Sequence, residues 1–329
     1  MNILVNIKCN AHCSYCFAGG KFCSRTNISL QDYCRALKFA VVSKDNQIKI
    51  LGGEPTLHPK FIQIISETMH FYQPQEIQIF TNGFVNSNIV DFLKNKKLNY
   101  ILNFTARNFI NEEKSKLSYF LQIVGPQTML GINYFGKLTD AETLEIFQTI
   151  KKFKLRKTIR LGISAPTYNL SNLSFNFNRS RKILNEDLVL LSKKCLQEGI
   201  SIFMDCSCVP LCAIDDKTIT YLKKYARTDL KVLCEGPIDL LPDNNVIRCF
   251  ACSSVRYPLR SFRNKQEIRD LFKKMDSFLL QYAGEEKCQN CQFYCKTCQG
   301  GCMAYKIARL EKLDRKKRIF FEKKFILRK

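Results

Sequence analysis

Ile3-Leu4-Val5-Asn6-Ile7-Lys8-Cys9-Asn10-Ala11-His12-Cys13-Ser14-Tyr15-Cys16 opens as an apolar, β-branched run and closes with three cysteines. The run from Ile3 to Ile7 has the composition of a buried strand, so the cysteines fall on the loop at its carboxyl end. Working outward, the same kind of run recurs at Ile48 to Leu51, Glu76 to Phe80, Tyr100 to Phe104, Met129 to Tyr134 and Thr158 to Ser164. Helical periodicity fills the intervals: Leu30 to Val42 behind a Ser29 cap, Lys60 to Phe71, Ile89 to Lys94, Asn111 to Leu121 and Ala141 to Phe153. Strands alternating with helices predict an α/β fold with a parallel sheet covered by helices, either a partial barrel or an open doubly wound sheet.

The chain then changes character. Pro166 to Arg179 is rich in Asn and Ser, Asn185 to Gly199 reads as a helix, and Ile200 to Met204 as one more strand. Twelve of the seventeen cysteines lie after Lys194. A boundary near residue 205 is expected, with a loop-rich carboxyl-terminal part that relies on metal staples more than on a hydrophobic core. The tail from Lys312 to Lys329 alternates basic residues with Ile and Phe, the pattern of an amphipathic helix packed on the body.

Of the 329 residues 46% are apolar, with no uninterrupted run long enough to span a bilayer, so a soluble protein without a membrane partner is expected. The opening residues carry no signal-peptide pattern, which points to a cytoplasmic setting. In a reducing compartment, C-x2-C and C-x3-C spacings read as metal ligands and not as disulfides. Only three histidines are present, which favours thiolate ligation. The formal charge of +23 would draw acidic partners. A basic balance alone is a weak signal for nucleic acid, and no nucleic-acid partner is expected from it.

Cys9, Cys13 and Cys16 suit three irons of a 4Fe-4S cluster, leaving the fourth iron open to a ligand. A zinc knuckle with His12 as fourth ligand is disfavoured, because His12 abuts Cys13. A second motif, Gly52-Gly53-Glu54-Pro55, continues Thr56-Leu57-His58-Pro59 at the end of the second strand. Glycines there allow close backbone approach to a ligand's ammonium group, Glu54 can accept from that cation, and Pro55 fixes the exit of the loop.

Together these motifs resemble the radical S-adenosylmethionine (SAM) superfamily, whose signature is C-x3-C-x-aromatic-C after the first strand of a partial (β/α)6 TIM-like barrel; Tyr15 supplies the aromatic. The resemblance implies a 4Fe-4S cluster that binds S-adenosyl-L-methionine, with Tyr15, Gly52, Gly53, Glu54 and Pro55 around the cofactor. It also places Asn82, Asn103 and Ser164 at strand ends that contact the cofactor.

Cys288, Cys291, Cys295, Cys298 and Cys302 stand within fifteen residues, ending in Gly300-Gly301-Cys302. This resembles the SPASM domain of peptide- and protein-modifying radical enzymes, with Cys288, Cys291, Cys298 and Cys302 fitting apart from one inserted residue. Cys234 and Cys249 flank a turn like that between the domain's first two ligands, with Asn244 where a glycine is usual. The chain departs from the pattern in having no cysteine after Cys302 and extra ones at Cys206, Cys208, Cys212, Cys252 and Cys295. One auxiliary 4Fe-4S cluster would draw on Cys234, Cys249 and Cys302, completed from the Cys206 to Cys212 group. A second would use Cys288, Cys291, Cys298 and either Cys295 or Cys252. A structural zinc on the last group is the competing reading. Cys23, Cys34 and Cys195 read as core thiols.

The expectation is thus a radical SAM barrel over residues 1–205 and a SPASM-like cluster domain over 206–329. Its substrate would be a peptide or protein, most naturally a ribosomally made peptide that is crosslinked, epimerised or oxidised, and its electron donor a flavodoxin or ferredoxin. Sulfatase-maturase-like, small-molecule dehydrogenase and RNA-modifying activities are the alternatives. No catalytic acid or base is singled out.

Overall fold

The computed structural model describes residues 1–11, 13, 15–16, 23–104, 111–163, 177–205, 209–226, 233–313 and 315–325. Seven parallel strands follow one another across a sheet in chain order: β1 Asn2–Leu4, β2 Ile48–Leu51, β3 Ile77–Thr81, β4 Asn99–Phe104, β5 Thr128–Tyr134, β6 Thr158–Ile163 and β7 Ser201–Met204. Three shorter strands, β8 Asp239–Leu240, β9 Asn245–Ile247 and β10 Arg256–Pro258, extend the sheet on the far side of β1. β8 is parallel to β1, with Asn2 opposite Asp239, and β9 and β10 are antiparallel. The sheet therefore runs unbroken from β10 through β1 to β7, and its carboxyl-terminal strands join the edge that β1 would otherwise leave open.

The intervening helices are α1 Leu30–Val42, α2 Phe61–Phe71, α3 Ser87–Leu93, α4 Asn111–Val124, α5 Asp140–Lys152 and α6 Phe177–Glu198. α1 starts where expected because the Ser29 hydroxyl accepts from the Asp32 N–H at 3.1 Å. α5 starts at a capping box between Thr139 and Glu142. α6 begins earlier than its apolar stripe of Leu184, Leu188, Leu191 and Cys195 suggests, since the preceding polar residues form its first turns. β1 is shorter than expected because beyond Leu4 its edge away from β2 turns from β8 to the segment before α1. The N–H of Ile7 donates to Thr26 at 2.9 Å, and that of Ile28 to Val5 at 2.9 Å.

The two sheet faces follow from the period of two. Ile3, Ile50, Ile79, Leu102, Ile132 and Leu161 are buried in the core under the helices. The alternate positions, among them Gln78, Phe80, Asn103, Asn133 and Arg160, face the concave side. There Arg160 donates to Asp205 at 2.5 Å and lies over the Phe80 ring at 5.3 Å. At the β1 edge the same side is apolar, with Leu4, Leu241 and Ile247 packed on Leu51, Phe250 and Cys23.

The carboxyl-terminal part, expected to be loop-rich and to rely on metal staples more than on a hydrophobic core, has several helices and shares the core of the sheet. α7 Asp216–Tyr225, α8 Lys265–Ala283, α9 Glu286–Gln289, α10 Met303–Leu313 and α11 Arg315–Phe325 are helical. Ile268, Phe272, Met275, Leu279, Ile307, Leu310, Phe321 and Phe325 bury into the same apolar cluster as the sheet. The Phe278 ring stacks on Phe320 at 5.5 Å and meets Phe321 and Phe325 at 5.7 and 5.8 Å. Over residues 315–325 the basic tail is thus a helix that packs Phe321 and Phe325 on the body. Among the lone thiols, Cys195 is buried in the core, whereas Cys23 and Cys34 are only half-buried. No described helix is long and apolar enough to cross a membrane.

Candidate active site and cysteine groups

The carboxyl ends of β1, β2 and β3 meet around Glu54. Its carboxylate is fully buried. Oε1 accepts from the Thr56 N–H at 3.2 Å and the Thr56 hydroxyl at 2.7 Å, and Oε2 from the Asn82 N–H at 2.7 Å. The Thr81 hydroxyl lies 3.0 and 3.1 Å from the two oxygens. Burial pushes the carboxyl above its usual range, and the donors from Asn82, Thr56 and Thr81 oppose that rise. In this structure Glu54 binds the three strand ends together, a role the sequence did not suggest.

The two glycines press against the strand exit. A Cβ at Gly53 would lie 2.2 Å from the Lys8 carbonyl oxygen, and one at Gly52 2.3 Å from Asn6 Oδ1. The N–H groups of Gly53 and Glu54 donate to the carbonyls of Asn6 and Lys8 at 3.1 and 2.7 Å. These glycines therefore allow close approach of chain to chain, directly below the cysteine loop. Pro55 opens a single helical turn, Pro55–Leu57, and is buried. The loop's far side is tied by His58, whose Nε2 meets the Ile28 carbonyl at 3.0 Å while Nδ1 accepts from the Lys60 N–H. Burial holds the His58 imidazole below its usual pKa.

Asn82 links this frame to the cysteines. Its Nδ2 donates to Asn10 Oδ1 at 2.7 Å and stands 3.8 Å from Cys9 Sγ, and its Oδ1 accepts from the Phe84 N–H at 2.9 Å. Asn10 returns a bond to the Phe84 carbonyl at 3.1 Å. Cys9 and Cys16 are exposed and Cys13 half-buried. Cys9 accepts from the Ala11 N–H at 3.4 Å. Desolvation pushes its thiol up, the Ala11 N–H opposes this, and Glu54, Cys13 and Cys16 reinforce it. The Tyr15 ring is buried against Phe135, centroids 4.9 Å apart. Asn103 lies on β4 opposite Gly131, with Oδ1 3.4 Å from where a Gly131 Cβ would be. His12, Ser164, Cys206 and Cys208 lie outside the described residues.

Among the described residues no three Cys, His, Asp or Glu side chains converge as one metal ion requires, with Zn–S bonds of about 2.3 Å. Thiolates on separate irons of one cluster stand farther apart. The fit to a cluster therefore rests on donor chemistry: three thiols on one short loop, two of them exposed, with the Ala11 N–H donating to Cys9 sulfur. Such a set would hold three irons of a 4Fe-4S cluster and leave the fourth open.

Among the described residues, the carboxyl-terminal cysteines lie around two buried cations. Arg248 is 1% exposed, donates through Nε to Asp276 Oδ2 at 2.9 Å and through Nη1 to Cys234 Sγ at 3.8 Å, and its charge is further favoured by Cys249 and Cys252. Lys306 is 3% exposed, donates to the Gly300 carbonyl at 2.9 Å, and interacts with Cys288, Cys298 and Cys302. Cys212 belongs with the second group: the Leu211 N–H donates to Cys298 Sγ at 3.4 Å, and Cys288 feels the Cys212 thiol. Cys252 belongs with the first. The sequence left the completing ligands open, the Cys206 to Cys212 group for the first cluster and either Cys295 or Cys252 for the second, and Cys206 and Cys208 lie outside the described residues. Cys291 and Cys295 are exposed near the second group. Asn244 adopts φ 63°, the left-handed turn that its position between Cys234 and Cys249 implied.

Residues 3–102 match the family described as the Radical SAM superfamily. The strand-end cysteine loop and the parallel strands agree with a radical SAM domain over those residues. In sequence it is similar to GTP 3',8-cyclase of Clostridium acetobutylicum, 31% identical over 139 residues, which are 40% of this chain and 43% of the relative. It is also similar to the probable GTP 3',8-cyclase of Methanopyrus kandleri, 32% identical over 83 residues, 25% of this chain and 26% of the relative. The matched segments thus span less than half the length of these curated relatives. In fold it is similar to Streptococcus suis SuiB bound to precursor peptide SuiA, with TM-score 0.64 and 17% identity over 95% of this chain and 72% of that one. It is likewise similar to native anSMEcpe with bound AdoMet and Kp18Cys peptide, with TM-score 0.63 and 16% identity over 99% of this chain and 95% of that one.

Proposed function

We propose that this chain modifies a peptide or protein substrate by radical SAM chemistry, with Cys9, Cys13 and Cys16 holding the SAM-binding cluster and a SPASM-like region, residues 206–329, holding auxiliary clusters. One observation carries the substrate class: the likeness in fold runs the length of the chain, including the cysteine-rich part, to proteins whose structures hold a peptide. The cluster, when bound, supplies the electron that cleaves S-adenosylmethionine to a 5′-deoxyadenosyl radical able to remove a substrate hydrogen. Asn82 orients the cysteine loop through Asn10 and Cys9, and Glu54 holds Asn82 in place. On the concave face Asn103, Asn133 and Arg160 offer polar contacts to cofactor and substrate. A flavodoxin or ferredoxin fits as electron donor to a strongly basic chain.

A second reading follows from the curated relatives, in which the substrate is a purine nucleotide such as GTP. The discriminating experiment is anaerobic reconstitution with iron and sulfide, then reduction with S-adenosylmethionine in the presence of either candidate peptides or GTP. Wild type is expected to form 5′-deoxyadenosine and Cys16→Ala none, with a peptide changed by mass or by solvent deuterium. Conversion of GTP with every peptide unchanged would move the assignment to the nucleotide.

A further inference from the structure

The cysteine loop is held on its two limbs by different parts of the chain. On the outgoing limb the Gly53 and Glu54 N–H groups donate to the Asn6 and Lys8 carbonyls at 3.1 and 2.7 Å. The return limb pairs back on that strand exit, with the Ile7 N–H donating to the Thr26 carbonyl at 2.9 Å and the Ile28 N–H to the Val5 carbonyl at 2.9 Å. Arg25 Nη1 donates to Asp32 on α1 at 2.9 Å. The contact beside Arg25 comes from the carboxyl-terminal part: Ser24 donates to Asp243 Oδ2 through its hydroxyl at 3.1 Å and through its N–H at 3.4 Å.

Asp243 reaches Ser24 because of strand direction. β8 runs parallel to β1, with Ile3 opposite Leu240, so the turn after β8 emerges at the same end of the sheet as the cysteine loop. That turn is tight: the Leu241 N–H donates to the Asn245 carbonyl at 2.8 Å and the Asn244 N–H to the Leu241 carbonyl at 3.0 Å, with Asn244 at φ 63°. The Leu259 N–H braces it from outside, donating to the Asn244 carbonyl at 2.8 Å. Within the turn Asp243 Oδ1 accepts from the Asn245 N–H at 3.2 Å, which orients the carboxylate and leaves Oδ2 to Ser24. Next to Ser24, the half-buried Cys23 packs on the apolar cluster of Leu4, Leu241 and Ile247.

We propose that Asp243 is a positioning residue for the SAM site: it holds the return limb of the loop that carries Cys9, Cys13 and Cys16, so that the carboxyl-terminal part helps to set how that loop presents its thiols. This rests on the reading of the loop as the site of the SAM-binding cluster. A loop places its ligands only as firmly as its two limbs are placed, and a displacement of about 1 Å at a reacting centre can cost about a hundredfold in rate. Asp243 acts through Ser24, and the contact lies at the surface, so its loss leaves the apolar core untouched.

The test uses the full chain after anaerobic reconstitution, as wild type, Asp243→Ala, Asp243→Asn, Ser24→Ala and the double variant Asp243→Ala with Ser24→Ala. Hydrogen exchange is read at the amides of residues 23–28, and S-adenosylmethionine is titrated into the reduced protein while its electron paramagnetic resonance is followed. Asp243→Ala is expected to speed that exchange about fivefold and to raise the S-adenosylmethionine needed for half the spectral change by a similar factor, at an unchanged melting temperature. Asp243→Asn should act in the same direction, because with its amide oxygen on the Asn245 N–H its NH2 faces the Ser24 N–H. In the Ser24→Ala background Asp243→Ala should have less effect than in wild type. An unchanged titration in both Asp243 variants, even with faster exchange, would overturn the positioning role, as would effects at Asp243 and Ser24 that simply add. A wild type whose spectrum does not respond to S-adenosylmethionine would instead overturn the reading of the loop as the SAM site.

Discussion

Glu54 shows how one buried carboxylate can hold a loop frame. Each of its oxygens faces a backbone N–H, Thr56 at Oε1 and Asn82 at Oε2. Glu54→Gln must therefore turn an amide NH2 against a donor whichever way the side chain flips. The expected cost is about 1–3 kcal/mol, read as a lower urea midpoint at constant m. An unchanged midpoint would show that the carboxylate is not what secures the strand ends.

At the scale of elements, the exit of β1 and the turn after β2 touch through backbone alone. A Cβ at Gly53 would lie 2.2, 2.6 and 2.9 Å from the Lys8 oxygen, the Lys8 carbonyl carbon and the Ile7 oxygen, none of which is the end of a flexible side chain. Gly53→Ala is expected to force the two segments apart, costing about 1–3 kcal/mol and lowering the iron retained on the Cys9 loop. Gly136→Ala is the control, since nothing stands within 4 Å of its added methyl. Equal melting temperatures and iron contents for the two variants would contradict this account of the glycine pair.

At the scale of the whole molecule, the carboxyl-terminal part is joined to the barrel through a buried acid. Asp239 on β8 is 1% exposed, accepting from Asn2 Nδ2 at 2.7 Å and the Phe250 N–H at 3.2 Å. Burial pushes its carboxyl up to about 7, the two donors opposing. An unfolded Asp titrates near about 3.9. Between these values the folded state holds a proton that the unfolded chain has released, so this contribution is full below about pH 4 and is lost as pH rises through 7. Asp239→Asn removes it, and the melting temperature of wild type relative to the variant is expected to fall from about pH 5 to about pH 8. A constant difference over that range would rule out Asp239 as the titrating link.

Much was legible along the chain because the signals are local. The period-two and 3.6-residue patterns marked the first seven strands and the helices between them. Ser29 announced the start of α1, and three cysteines after an apolar run announced the site. Those readings depend on neighbours in sequence, where strand and helix geometry fix which residues share a face. The tertiary structure alone decided matters set by distant contact. Glu54 faces Thr81 and Asn82 because β2 and β3 lie side by side. The glycine pair is required by the Lys8 backbone. Cys252 stands near Cys302 because α10 packs on the turn after β9, and Cys212 stands near Cys298 because the Leu211 N–H donates to its sulfur. Spacing counts residues along a chain, whereas a ligand set is chosen by which thiols converge in space.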